Sequence, residues 1–266
     1  MTRKLGHGDI VLSHFSLPRD TPFADRLRAA ANAGFDGIGW FVADYVKHRD
    51  LGWTDTDIAK ALDDHRLVLH EVDAIPLVRL DHADVGVHMV NTFGAHHLQV
   101  QGNRPESFDE SVAIVRRLGD GVAASGGWIA IEFVGNMNIR TAADALQIAT
   151  ATERPNVGVQ VDIWHHVRGA NDWSMIEAVP LDRLASVQFD DGPLSPVLPD
   201  YTEDTIRYRQ LPGMGEFDID RFLSTVYSMS VNLPLSVEVI ADDLMALGVD
   251  EAARLMAQAT RGALRR

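Results

Sequence analysis

The chain contains no cysteine in 266 residues. That excludes a disulfide framework and any thiolate metal site. No run of ~18 apolar residues is free of charge, so no membrane-spanning helix is expected. Basic residues are scarce: 24 Lys and Arg stand against 38 Asp and Glu, a formal net charge of −14. A protein of that sign repels polyphosphate, so no nucleic acid is expected as a partner. The charges are scattered rather than blocked, which reads as solvated helix faces. Low-complexity segments, Gly/Ser linkers and short-period repeats are lacking too. The opening residues, M-T-R-K-L-G-H-G, carry no apolar signal-peptide core, so a cytoplasmic location with no membrane partner is the default expectation. What remains is 46% hydrophobic, enough for one large core, and single α/β barrels of ~250 residues are common.

Short β-prone runs alternate with amphipathic helical runs. Strands are predicted over 10–16, 38–42, 67–75, 97–100, 128–134, 157–161, 184–189 and 235–240. Helices are predicted over 22–33, 55–66, 81–93, 107–124, 141–152, 173–179, 218–229 and 250–264. Phe23, Leu27 and Ala30 share one face of the first helix; Val112, Val115, Leu118 and Val122 share one face of the fourth. Gly94 is placed as a helix C-cap, and Thr141 with Asp144 approaches a capping box. A long loop rich in Pro and Gly follows over 190–215. Strict β/α alternation requires right-handed parallel crossovers. Eight units at this length predict an α/β chain folded as a single (β/α)8 TIM barrel over residues 1–266. The rival is an open doubly wound sheet, but no G-x-G-x-x-G follows the first strand.

The chain is organised around N-V-G-V-Q-V-D-I-W-H-H at 156–166, a buried strand that delivers Asp162, and His165 three residues later, to its C-terminal end. Three other strands end in the same way, on Glu132, Gln188 and Glu238. In a parallel barrel all such ends lie on the face where barrel active sites sit. A lone strand-end acid is more often a helix N-cap or a surface ion pair. Four on successive strands are hard to reach by accident. Three carboxylates in one pocket repel one another unless something positive lies among them, and one divalent cation is the economical answer. The four candidate ligands all offer oxygen, which suits Mn2+ first, then Mg2+ or Co2+, with Zn2+ still open.

These residues resemble the xylose isomerase-like TIM-barrel superfamily of sugar and sugar-phosphate isomerases and epimerases. The segments that carry the resemblance are I-E-F at 131–133, V-G-V-Q-V-D-I-W-H at 157–165, V-Q-F-D-D-G-P at 187–193, R-Q-L-P-G-M-G-E-F-D at 209–218 and S-V-E-V at 236–239. The resemblance implies Glu132, Asp162, Gln188 and Glu238 as metal ligands. In the ketose 3-epimerase branch the third ligand is usually His rather than Gln188. That branch also has an acid where this chain has Asn138, and an Arg where it has Leu194. Gln188 and R-x-x-P-G-x-G-E look instead like the branch of 3-dehydroshikimate dehydratases and related lyases acting on cyclic polyols and keto-sugars. The endonuclease IV branch needs several His ligands and a DNA-binding surface, which this acidic chain does not offer.

The implied chemistry is proton transfer beside a carbonyl through a metal-stabilised enediolate. Isomerisation or epimerisation of a sugar is the leading expectation. Dehydration of a cyclic keto-polyol or keto-acid shares the intermediate and is the alternative, and a non-catalytic metal-binding barrel is the second. The resemblance sets Glu132 and Glu238 on opposite sides of the substrate as acid and base. His165 is read as a substrate hydroxyl contact or proton relay, against a packed loop histidine. Arg209 is read as binding substrate or ordering the turn that follows it. Glu71, in V-L-H-E-V-D-A-I at 68–75, is expected to face the pocket from a strand end. Trp40, Phe15, His14 and Trp164 are candidates for an apolar wall, with core packing as the blander role for each. The 190–215 loop is a candidate lid. No cluster of Lys and Arg marks a phosphate site, so an unphosphorylated sugar, inosose or cyclic keto-acid is the expected partner. The resemblance also implies a homodimer or homotetramer.

Overall fold

The computed structural model describes residues 3–229 and 232–265; the extreme ends of the predicted 1–266 domain lie outside the described residues. Eight strands pair in sequence order and close on themselves, every neighbouring pair parallel, β8 against β1 included. They are β1 Ile10–Leu12, β2 Gly37–Phe41, β3 Val68–Pro76, β4 His97–Gln101, β5 Trp128–Glu132, β6 Val157–Asp162, β7 Leu184–Phe189 and β8 Leu235–Val237. The helices are α1 Phe23–Ala33, α2 Val42–Asp50, α3 Asp55–Asp64, α4 Ala83–Phe93, α5 Phe108–Val122 and α6 Ala142–Ala151. They continue with α7 Ile163–Val167, α8 Trp173–Glu177, α9 Tyr201–Thr205, α10 Ile219–Ser228, α11 Asp242–Met245 and α12 Val249–Ala263. The expected (β/α)8 barrel is what the chain forms. No described helix is long and apolar enough to cross a membrane.

Local chemistry sets the helix ends. Thr54 and Thr141 each form a complete capping box, with Asp57 and Asp144 as the reciprocal partners. Gly34 and Gly94 end α1 and α4 at φ +82° and +68°, where a side chain would be strained.

Side chains alternate across each strand. The outward set, including Leu12, Ile38, Ile131, Val161 and Phe189, is buried in the main apolar core beneath the helices. Trp40 belongs to this set and stacks on Phe23 of α1, ring centroids 4.1 Å apart. The inward set is polar toward the mouth, while Val11 packs with Leu5 and Val68 in a small separate apolar cluster. Ser236 on β8 donates to Glu71 on β3 at 2.8 Å. These strands are not neighbours, so the bond crosses the barrel interior. A Cβ on Gly39 would lie 2.5 Å from Glu71 Oε1 and 2.9 Å from Asp73 Oδ2. The bare glycine of β2 therefore makes room for two acids from β3.

Short helices α7 and α11 form after β6 and β8 where none was expected, and three further segments differ from expectation. β1 stops at Leu12, and His14–Ser16 turns into a 3-10 helix. Ser16 holds this turn against the end of β8, donating to the Val237 carbonyl at 2.9 Å and accepting from the Val239 amide at 3.0 Å. α2 begins directly after β2, where no helix was expected, and is anchored by buried Tyr45. Its last turn carries Lys47, His48 and Arg49, which suit the negative end of the helix dipole. Within the long loop, α9 forms and two residues pin the rest. Asp204 accepts from the Val197 and Leu198 amides and from Arg168.

Asp191 is the second pin. Its carboxylate accepts from the backbone amides of Gly192, Gly213, Gly215 and Phe217 at 2.8–3.0 Å. Asp191→Ala would orphan these amides in a buried site, which costs on the order of 3 kcal/mol. The expected outcome is a lower urea midpoint and proteolytic cleavage near residues 210–215. Unchanged stability and protease resistance would show that the loop holds its shape without Asp191.

Candidate active site at the barrel mouth

The C-terminal ends of β5 to β8 put Glu132, Asp162, Gln188 and Glu238 side by side. Asp162 is in register with Gln188, and Gln188 with Ser236, two residues before Glu238. Glu132, His165, Arg209 and Glu238 line a cavity of about 310 Å³ at the mouth. Tyr201 and Thr205 of α9 line it from above, so the long loop forms part of the wall.

Two subclusters share Asp162. In the first, Glu132, Asp162 and His165 each offer one ligand atom, all within 4.8 Å of one another and all buried. His165 Nε2 lies 3.6 Å from Asp162 Oδ2 and 3.9 Å from Glu132 Oε1, while Nδ1 meets the Tyr201 hydroxyl at 2.9 Å. In the second, the Arg209 guanidinium reaches Asp162 Oδ2 at 3.1 Å, Asp190 Oδ2 at 2.5 Å and Glu238 Oε2 at 3.1 Å. Glu238 Oε1 also accepts from Ser13 at 2.7 Å and from Gln188 Nε2 at 3.1 Å. Gln188 Oε1 is buried with no hydrogen-bond partner.

The electrostatics follow from burial. Burial pushes the Glu132 carboxyl well above its usual range, and Glu238 and Asp162 add to the shift. Its one side-chain donor, Gln160 Nε2, lies at 3.4 Å. Burial also raises Glu238, against the opposing pull of Arg209 and Ser13. Asp190 rises for the same reason although Arg209 touches it. Burial works to raise Asp162 too, but Arg209 and His165 beside it, with the Trp164 amide, hold it below the ordinary value. His165 is pushed down to about 4 by burial, so its ring is neutral at pH 7.

Other residues expected at the site fall elsewhere. Trp40 lies outside the barrel wall and cannot meet a ligand at the mouth. His14 is buried with Nε2 3.2 Å from Asp44, and its carbonyl accepts from Arg26. Trp164 is fully buried; its indole donates to Thr205 at 3.0 Å, and Arg168 and Arg209 lie near its ring. Phe15 does line the cavity. Glu71 sits within the barrel shaft rather than on the mouth wall. Ser13, Asp190 and Tyr201 were not singled out in the sequence, yet each contacts a site residue. Only Asp190 carried a signal, as one more acid just past a strand end.

Glu71 makes the pH response testable. Burial, with Glu238 and Glu132 nearby, raises it to about 8 against the Ser236 hydrogen bond. An unfolded Glu has released its proton by ~pH 5, so the folded chain binds more protons over the window up to about 8. Stability therefore falls as pH rises through it. His14, His165 and His166, depressed to about 4 from 6.5, oppose this slope only at lower pH. EDTA-treated protein is expected to lose on the order of 1–2 kcal/mol between about pH 6.5 and 8. Glu71→Gln should reduce that slope, with Glu132 and Asp190, also raised by burial, supplying the remainder; an unchanged slope in the variant would assign it wholly to other groups.

Comparison with known proteins agrees with this architecture. The xylose isomerase-like TIM barrel family matches residues 27–261. The 3-dehydroshikimate dehydratase of Pseudomonas putida is 25% identical over 238 residues, covering 84% of this chain and 36% of that protein. The inosose isomerase of Bacillus subtilis is 30% identical over 145 residues, covering 53% of this chain and 50% of that protein. The chain thus spans from about a third to half the length of these curated relatives. Among solved structures, the IOLI protein with a bound zinc atom superposes with a TM-score of 0.84 at 18% identity, over 96% of this chain and 98% of that one. The D-allulose 3-epimerase of Methylomonas sp. superposes with a TM-score of 0.74 at 19% identity, over 99% and 100%. These superpositions establish shared fold. With the family match extending over most of its length, the chain belongs to the xylose isomerase-like TIM-barrel family.

Proposed function

We propose that this chain is a divalent-metal-dependent enzyme that moves a proton beside the carbonyl of a small sugar, cyclic keto-polyol or keto-acid. The observation that carries this reading is the pairing of Glu132 and Glu238 across one cavity with Asp162 and His165 between the same strands. The residues fit a cation. Glu132, Asp162 and His165 converge, and the orphaned Gln188 Oε1 is a buried acceptor with nothing to accept. These four, with Glu238, are the groups that would hold it. His165 adds an imidazole to the oxygen set, so Zn2+ joins Mn2+, Mg2+ and Co2+ as a suitable ion. A bound divalent ion supplies Lewis-acid polarisation of a carbonyl and offsets buried negative charge.

The chain's own groups divide the proton work. Glu238 is fixed by Ser13, Gln188 and Arg209, and the guanidinium favours its ionised form; it is the base. Glu132 lines the same cavity as Glu238 and has one weak donor among the described residues; it is the group that returns the proton or helps a hydroxyl leave. His165, neutral and oriented by Tyr201, presents Nε2 to the cavity. Arg209 positions Asp162 and Glu238.

Return of the proton gives isomerisation or epimerisation; departure of a β-hydroxyl gives dehydration. Dehydration is the second reading. It is favoured by the dehydratase relative, whose match extends over 84% of this chain against 53% for the inosose isomerase.

Incubation with a keto-sugar, an inosose or 3-dehydroshikimate in D2O, with a divalent ion added, is expected to place deuterium beside the carbonyl, read by NMR. Glu132→Gln and Glu238→Gln are each expected to lose at least 100-fold in rate while the melting temperature stays close to wild type. Exchange at wild-type rate in either variant would overturn the acid/base assignment. No exchange with any of the three substrates would favour a non-catalytic barrel.

A further inference from the structure

The mouth cavity continues into a second lobe of about 590 Å³. Phe15, Arg19 and Gln101 border both, so one cleft has two ends. The second end lies over β1, β2 and β3, away from the β5–β8 carboxylates. Its floor is apolar, formed by Val42, Ala74 and Ile75, and its wall carries Arg19, Arg79 and His82 against a single acid, Asp81. In a chain of net charge −14, this lobe brings together two arginines, Arg19 and Arg79, from separate segments of the chain.

Both arginines are largely uncommitted. Among the described residues Arg19 has no ion-pair partner. The Arg19 guanidinium lies over the Phe15 ring, 5.6 Å from its centroid, which orients it at the junction of the two lobes. Arg79 meets Asp81 only at 3.8 Å, with both side chains more than 70% exposed. Such a pair contributes little and is readily exchanged. Arginine presents a planar fork of donors that matches a carboxylate or a phosphate.

We infer that this second lobe binds an anionic group of the substrate, a carboxylate or a phosphate, while the carbonyl end lies at Glu132 and Glu238. The assignment rests on the mouth being a substrate site, and it narrows the substrate to a negatively charged one. Charge complementarity supports it. The mouth carboxylates repel an anion, so a charged substrate needs its anionic end held away from them. The cationic wall does that and fixes which end of the molecule enters the mouth. A neutral inosose uses neither effect; a cyclic keto-acid or a sugar phosphate uses both.

Calorimetric binding to the full chain tests this with shikimate, myo-inositol and inorganic phosphate as probes. Shikimate or phosphate is expected to bind at least tenfold more tightly than myo-inositol, with the preference shrinking as NaCl is raised. Arg19→Gln combined with Arg79→Gln is expected to erase the preference. Arg79→Gln alone, at a side chain 74% exposed, leaves folding untouched and should weaken anion binding at least threefold. Tighter shikimate assigns the lobe to a carboxylate; tighter phosphate assigns it to a phosphoester. Equal affinity for all three probes, or a preference that survives the double variant, overturns the assignment. Glu132→Gln separates this from the catalytic reading. Anion binding at wild-type strength in that variant supports the lobe whatever happens to turnover. Its loss there places the anion in the mouth and overturns the lobe.

Discussion

The Arg209 guanidinium touches Asp162, Asp190 and Glu238 at once, fully buried. Burying this cation is tolerable because three carboxylates surround it; removing Arg209 would leave all three desolvated without their shared cation. Arg209 is itself held by the segment that follows it. Asp191 gathers the amides of the P-G-M-G turn and pairs its backbone with Gln210. Asp191 thus shapes the loop, the loop places Arg209, and Arg209 sets Asp162 and Glu238. The path runs over neighbouring residues and needs no motion.

One guanidinium does not balance the acids around it. Glu132 lies outside its direct reach, and Glu71 and Asp73 lie deeper in the shaft. All three carboxyls are pushed upward by burial and by each other. Both Asp73 oxygens, Glu71 Oε2 and Gln188 Oε1 are buried without partners. A barrel interior of this kind departs from the apolar layers that usually fill the fold. The cost is reasonable only where the groups have work to do at the mouth. A cation held by Glu132, Asp162 and His165, as proposed, would offset the imbalance where donor atoms already converge.

Much of this was legible in the sequence. Alternating β and α runs of the right number gave the barrel. Acids or amides at the ends of four successive runs marked the mouth, because a parallel barrel collects strand ends on one face. What was not legible depends on direction and distance. Trp40 and Glu71 were both placed toward the pocket, yet Trp40 faces the helices and Glu71 the shaft; with strands this short, one residue decides which side is seen. Gly39 was the available clue, since a bare position facing inward puts its neighbour Trp40 outward. Ser13 meets Glu238 from 225 residues away, and Tyr201 reaches His165 from a loop with no periodic pattern. Arg19 and Arg79 lie in separate segments of the chain and line one lobe only once the barrel closes.

In the proposed function the buried carboxylates at the ends of β5, β6 and β8 hold one divalent ion beside a substrate. Anomalous diffraction from a crystal soaked in Mn2+ tests it most directly. One strong peak is expected at roughly 2.0–2.3 Å from a carboxylate oxygen of Glu132, one of Asp162 and Nε2 of His165. A map with no peak among these residues, or with peaks only on surface carboxylates, would contradict it.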